Sequence, residues 1–373
     1  MRHPIRRARY DLSERPFIVI WELTRACDLA CQHCRAEAIP ERHPQELTTA
    51  EARRLLDDIA SFGPPPPLFV MTGGDPFKRP DLFELVEYGT RIGLPVSVSP
   101  SGTPSLSREN LRRLREAGAV ALSLSLDGST AAIHDRFRQV DGVYDWTIAG
   151  WQAARELGFK VQINTTVGPH NLYDLPNIVA LVRRFGAMTW SAFFLVPTGR
   201  GRQLSPITPE QFEDVLHFLY DADKVVSLKT TEGHHFRRVV IQRQVLERRG
   251  IPPESVLPLG ETYRRLRRAL DEVAPDVDLN SPGPMRRTPL DVNAGRGFVF
   301  ISHLGVVYPS GFLPLAAGDV RARTLPEIYR HSPLLRSLRD PGQLEGRCGR
   351  CEFREVCGGS RSRAFGVTGK VLG

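Results

Sequence analysis

From residue 17 onward the chain alternates short runs of β-branched and aromatic residues with amphipathic stretches, and no other feature restricts its fold as much. Residues 17–23 read as a first strand. The capping box Thr48-Thr49-Ala50-Glu51 then opens a helix whose buried stripe is Ala52, Leu55, Leu56 and Ile59. Strand 68–72 is entered through a run of four prolines and closed by Gly73-Gly74. Helices over 81–91, 108–116, 144–157 and 175–185 alternate with strands over 95–99, 120–126, 160–167 and 190–196. A further helix is capped at Thr208, with Pro209 at N1 and Gln211 at N3. Six such units predict an α/β fold, a partial (β/α)6 TIM-like barrel over residues 17–205. Residues 1–16 form an N-terminal arm. Residues 206–294 read as a helical bridging segment of moderate order, interrupted at Ile251-Pro252-Pro253 and Ser281-Pro282-Gly283-Pro284. A hairpin over 297–309 turning at Leu304-Gly305, and a short helix over 325–330, begin a small C-terminal extension over 295–373.

Charge narrows the partners. The net charge is +8, carried mostly by Arg, with Lys only at 78, 160, 224, 229 and 370. Its densest cluster, Arg264, Arg265, Arg267 and Arg268, has helical spacing and reads as a solvated helix face rather than a nucleic-acid surface. An anionic small substrate or an electron-donor protein suits the charge better. The basic start (Arg2, Arg6, Arg7, Arg9) lacks a following apolar segment, and no run of about 18 apolar residues occurs. These features imply a cytoplasmic protein without a membrane span.

The six cysteines fall into two groups, Cys27/Cys31/Cys34 and Cys348/Cys351/Cys357, with none between. A disulfide framework would scatter them, so the clustering points to metal. The first group follows the first strand directly, where α/β barrels carry their chemistry. Three thiolates on a four-iron cluster leave one iron open to a substrate or cofactor. Zinc bound by three Cys and His33 is the alternative.

Cys27-x3-Cys31-x2-Cys34 after a first barrel strand resembles the signature of the radical S-adenosylmethionine (SAM) superfamily. The resemblance implies a [4Fe-4S] cluster whose open iron is chelated by SAM. Reduction then splits SAM into methionine and a 5′-deoxyadenosyl radical that abstracts hydrogen from the substrate. His33 stands where the family often has an aromatic residue near the adenine. Gly73-Gly74-Asp75-Pro76 resembles the motif that holds the SAM amino end, although its dipeptides also suit an ordinary tight turn. Ser123-Leu-Ser125-Leu-Asp127-Gly128 and His134-Asp135-Arg136-Phe137-Arg138 resemble a further stretch of the same enzymes. On that reading Ser125 faces the ribose and Arg138 pairs with the SAM carboxylate. Asn164, Thr166 and Val196 are further SAM contacts.

Cys348-Gly-Arg-Cys351-x5-Cys357 resembles the core of a SPASM/twitch-type extension, which carries auxiliary clusters in many relatives. Ser360 and Ser310 stand where two of that pattern's cysteines would be, so one auxiliary cluster is lost. A second [4Fe-4S] cluster would use Cys348, Cys351 and Cys357. Its fourth ligand is a cysteine beyond Gly373 if the chain is truncated, a non-Cys group (His303 and His331 are nearest in sequence), or the substrate. Zinc stays open here as well.

The resemblance leaves two substrate classes, tetrapyrrole side chains of heme-type biosynthesis and ribosomally made peptides. The stretch Phe300-Ile-Ser-His303-Leu-Gly305-Val-Val-Tyr308-Pro-Ser310 leans toward the first. A flavodoxin- or ferredoxin-type protein is the expected electron donor. The polar cluster at residues 229–238 suggests Glu232 or His234 as a catalytic proton shuttle, with Arg237 and Arg238 gripping carboxylates. A charged loop is the plain reading of that cluster. A zinc-stabilised scaffold without SAM chemistry is the remaining class.

Overall fold

The computed structural model describes residues 4–283 and 285–373; Arg2 and Pro284 lie outside them. Strands β1 (Ile18–Glu22), β2 (Leu68–Thr72), β3 (Val96–Val98), β4 (Ala121–Ser125), β5 (Lys160–Val167) and β6 (Thr189–Phe194) pair in sequence order, all parallel. Helices α1 (Thr49–Ala60), α2 (Leu82–Arg91), α3 (Arg108–Glu116), α4 (Ala131–Arg138), α5 (Val143–Glu156) and α6 (Leu175–Phe185) connect them. The partial α/β barrel expected from the alternation is present. The capping boxes at Thr48 and Thr208 both form, the second opening α7 (Pro209–Ala222).

The bridging segment is more regular than its sequence suggests. Leu228–Thr231 forms β7, a seventh parallel strand on the free edge of β6. With a lysine in a four-residue run it lacks the apolar signal of a buried strand. Helices α8 (Phe236–Arg248) and α9 (Glu261–Val273) follow. The arginine cluster lies on α9, where Arg264 and Arg268 pair with Glu261 and Arg267 with Asp271. Strands β8 (Asn293–Ala294), β9 (Gly297–Ile301), β10 (Val306–Tyr308) and β11 (Gly318–Asp319) then extend the opposite edge. There β9 runs parallel to β1, and β10 returns antiparallel to β9 as the expected hairpin. Helix α10 (Leu325–His331) follows. Among the described residues no helix is long and apolar enough to cross a membrane.

The strands' alternation fixes where the core ends and the site begins. Leu124 of β4 and Val161 and Ile163 of β5 are buried in the core, which also holds Trp151 of α5. Their neighbours Ser123, Ser125, Gln162, Asn164 and Thr166 face inward. Small polar side chains do not fill a barrel as large branched ones do. They line a cavity of about 720 Å³ that reaches from the loop after β1 to residues 287–290.

Candidate active site at the carboxyl ends of the strands

The loop after β1 is stitched to the end of β2. Gly74 N–H donates to Thr24 O at 2.8 Å and Asp75 N–H to Ala26 O at 2.7 Å. The loop also closes on itself, Cys27 N–H donating to Ile39 O at 2.9 Å. Both glycines are required by this approach. A Cβ on Gly73 would lie 2.6 Å from Thr24 O, and one on Gly74 would lie 2.4 Å from Ala26 O. Asp75 does not reach the cavity. It is fully buried and accepts from Thr103 Oγ1 at 2.8 Å and Phe77 N–H at 3.2 Å, so it braces the turn from behind.

Cys27, Cys31 and Cys34 all line the cavity. Each sulfur has a polar neighbour: Leu29 N–H donates to Cys27 at 3.4 Å, Arg138 Nη1 to Cys31 at 3.5 Å and Ala38 N–H to Cys34 at 3.4 Å. Burial pushes the Cys27 thiol up to about 11, and a bound cation would favour its thiolate. Three soft donors, each with a hydrogen bond to sulfur and opening on a cavity, fit a cluster with one open iron. Among the described residues no three His, Cys, Asp or Glu side chains converge closely enough to hold a single ion. The fit therefore rests on the donor set and its surroundings.

Ser125, Asn164, Thr166, Val196 and Arg138 all line the same cavity. Asn164 Oδ1 accepts from Gln162 Nε2 at 2.7 Å. Arg138 has a protein partner as well as a place in the cavity wall. Its guanidinium forms an ion pair with fully buried Asp127, which also accepts Thr166 N–H at 2.6 Å. Asp127, which the motif spacing does not single out, thus orients the Arg138 guanidinium in the cavity wall, and Arg138 Nε is buried without a hydrogen-bond partner among the described residues. Helix α4, which has no strong apolar periodicity in the sequence, delivers this arginine. His33 stacks on Phe137 at 4.5 Å, and Phe137 on His170 at 3.8 Å. Burial and the Arg138 charge push His33 down to about 3, so this stack presents a neutral imidazole to the cavity.

Residues 21–182 match the Radical SAM superfamily. Over 362 residues the chain is 40% identical to the AdoMet-dependent heme synthase of Oleidesulfovibrio alaskensis, covering 95% of this chain and 85% of that one. This chain belongs to the radical SAM superfamily. It is therefore an enzyme that binds a [4Fe-4S] cluster and SAM and cleaves SAM reductively. It is also 30% identical to the Fe-coproporphyrin III synthase of Methanosarcina barkeri, over 95% of this chain and 85% of that one. The crystal structure of Streptococcus suis SuiB bound to S-adenosylmethionine shares the fold, with a TM-score of 0.68 at 14% identity over 96% of this chain and 76% of that one.

In this radical SAM enzyme the polar cluster after β7 is organised differently from its expected arrangement. Glu232 is buried and accepts hydrogen bonds from Ser310 at 3.2 Å, Ser362 at 2.9 Å and Ser360. Two of these serines stand where the SPASM pattern has cysteines, so a carboxylate–hydroxyl network occupies that position. Burial raises the Glu232 carboxyl against the pull of the serines. His234 lines the cavity beside Glu232, and burial holds it well below its ordinary value. Its Nδ1 is buried without a hydrogen-bond partner. Arg237 and Arg238 are not carboxylate grips. Arg237 donates to the carbonyls of Val356, Cys357 and Val292, and Arg238 pairs with Glu213.

Cys348, Cys351 and Cys357 lie outside the cavity wall, tied to it through Arg237 and Asn293. Cys348 Sγ accepts from Arg361 Nη2 at 3.2 Å, and burial raises the Cys357 thiol. His303 is not beside this triplet. It pairs with Glu22 at 2.7 Å, and Glu22 also binds Arg35 at 2.7 Å. His331 contacts Arg336 on the surface.

Proposed function

We propose that the enzyme acts on a carboxylate-bearing iron tetrapyrrole, converting propionate side chains to vinyl groups. The observation that carries this reading is the charge of the cavity. Seven Lys or Arg side chains line it. Arg35 and Arg138 are paired with Glu22 and Asp127, and Arg237 donates to backbone carbonyls. That leaves Arg6, Lys160, Lys229 and Arg287 against Glu232, the only acid in the lining among the described residues. Such a wall attracts a polyanion. Two relatives add support, one named for heme and one for Fe-coproporphyrin III. Those two tetrapyrroles differ where propionates of the second are vinyls in the first.

Cys27, Cys31 and Cys34 would hold the SAM-binding cluster, which would supply a carbon radical on reduction. At the substrate, one C–H bond of the propionate breaks and its hydrogen atom leaves with that radical. The C–C bond to the carboxylate then breaks, releasing carbon dioxide, and one electron must leave for the double bond to close. The reading therefore needs a one-electron acceptor. Cys348, Cys351 and Cys357 offer three ligands for a second [4Fe-4S] cluster suited to that need. A flavodoxin- or ferredoxin-type protein is the donor for the first reduction. Gly73 and Gly74 shape the SAM cradle, Ser125, Asn164 and Val196 line it, and Arg138 positions Asp127 beside Thr166. Glu232 and His234 stand at the substrate end as proton-holding groups.

Anaerobic incubation with iron coproporphyrin III, SAM and a reductant tests this by mass spectrometry. The expected product has lost carbon dioxide and two hydrogens per converted side chain, with 5′-deoxyadenosine formed alongside. Sustained 5′-deoxyadenosine formation beside an unaltered porphyrin would overturn the substrate assignment.

A further inference from the structure

Lys229 sits mid-strand on β7, in register with Ser191 of β6, which is itself level with Asn164 and, through it, Ser125. Its side chain lines the cavity and has no ion-pair or hydrogen-bond partner among the described residues. Burial pushes it down to about 8, with Arg287 adding repulsion. Arg287 lines the same cavity and donates from Nη1 to Thr189 Oγ1 at 3.2 Å, one strand away from Lys229. Arg6 adds like charge to Arg287 and Asp223 opposes it; Asp223 accepts backbone N–H groups of Arg286 at 2.6 Å and Leu228 at 3.4 Å. Burial pushes Asp223 up to about 6, which weakens it as a counter-charge. Two desolvated cations of like sign, without a carboxylate between them, are costly unless an anion joins them.

We propose that Lys229 and Arg287 form a clamp for a carboxylate of the substrate, inside the barrel and across from the cluster loop. The clamp deepens the tetrapyrrole reading and rests on it for the identity of the guest, a propionate side chain. A point charge from the lysine and a planar fork from the arginine suit one carboxylate approached from two sides. A propionate fixed here is distinct from the one that reacts, so the clamp orients the macrocycle. Lys229 and Arg287 are positioning residues.

The test uses the cluster-loaded full chain with Lys229→Met and Lys229→Arg. Iron coproporphyrin III and its tetramethyl ester are titrated by their visible absorbance in the presence of SAM. Lys229→Met should weaken the free acid by about tenfold or more, the loss of one charge-assisted hydrogen bond. Lys229→Arg should restore most of that affinity, and the ester should bind the wild type and Lys229→Met alike. Unchanged free-acid affinity in Lys229→Met would overturn the clamp. So would a loss of SAM affinity in that variant, because the carboxylate would then be that of SAM. A second arm needs no porphyrin. Propionate, compared with chloride at equal ionic strength, should raise the unfolding temperature of the wild type but not of Lys229→Met. Equal responses to propionate would overturn the clamp. If the wild type ignores the porphyrin while the propionate response differs as expected, the tetrapyrrole reading fails and the clamp stands.

Discussion

Arg138→Ala should damage the fold before it touches catalysis. The Asp127 side chain is 0% exposed and that of Arg138 is 11% exposed. Truncation would leave a buried carboxylate with Thr166 N–H at 2.6 Å but no counter-charge. It would also remove the donor to Cys31 Sγ. Breaking a buried pair from one side costs about 3–5 kcal/mol. Arg138→Ala with Asp127→Asn removes the stranded charge as well and should recover most of the loss, a coupling that a double-mutant cycle measures. Because the Arg138 guanidinium holds Asp127 far below the usual carboxylate range against the opposing effect of burial, the contribution has a defined pH dependence. It is present above the ordinary value of 3.8 and fades as pH falls through the folded-state value. Urea unfolding, followed by tryptophan fluorescence at neutral and acid pH, is the assay. If Arg138→Ala stays within about 1 kcal/mol of the parent at neutral pH, the buried pair is not a structural tie.

Three other outcomes follow from the geometry. Gly74→Ala forces a Cβ against the carbonyls of Ala26 and Arg25, so the cysteine loop must move; a loss of about 1–3 kcal/mol and weaker SAM binding are expected by calorimetry, and a neutral result refutes the close approach. Lys229→Met should stabilise the ligand-free protein by up to about 3 kcal/mol at neutral pH, since burial lowers that lysine from 10.5 to about 8. Between those values the unfolded chain binds more protons, so the wild type gains stability as pH rises and the variant does not; parallel pH profiles in denaturant would contradict this. Replacing Cys348, Cys351 and Cys357 should remove about four of roughly eight irons while SAM cleavage stays measurable, whereas one zinc and about four irons in the parent would defeat a second cluster.

The cysteine loop and its Gly-Gly partner were legible because both are local: each motif closes a strand that the alternation had already marked. Strand β7 was not, since Leu228-Lys229-Thr230-Thr231 places a lysine in the barrel interior where a buried strand usually has an apolar residue. Arg138 was found, but not its partner's importance. The ion pair with Asp127 spans the turn into α4, a helix without a side-chain cap bond at Thr130. The Glu232 network was half visible. Ser310 and Ser360 stood out as replacements for cysteine, yet their convergence on a residue 78 and 128 positions away depends on the C-terminal segment folding back on β7. Lys229 and Arg287 are linked in the same way, by tertiary packing that no spacing rule records.

The first cysteine triplet is the part of the enzyme on which SAM cleavage depends most directly. Anaerobically reconstituted wild type and a Cys27→Ala/Cys31→Ala/Cys34→Ala variant should be compared for iron content and for 5′-deoxyadenosine formed from SAM under reduction. The wild type should form 5′-deoxyadenosine, and the variant should lose about four irons and all SAM cleavage. Cleavage at the parent rate in the variant would contradict the assignment of these three thiolates as the ligands of the SAM-binding cluster.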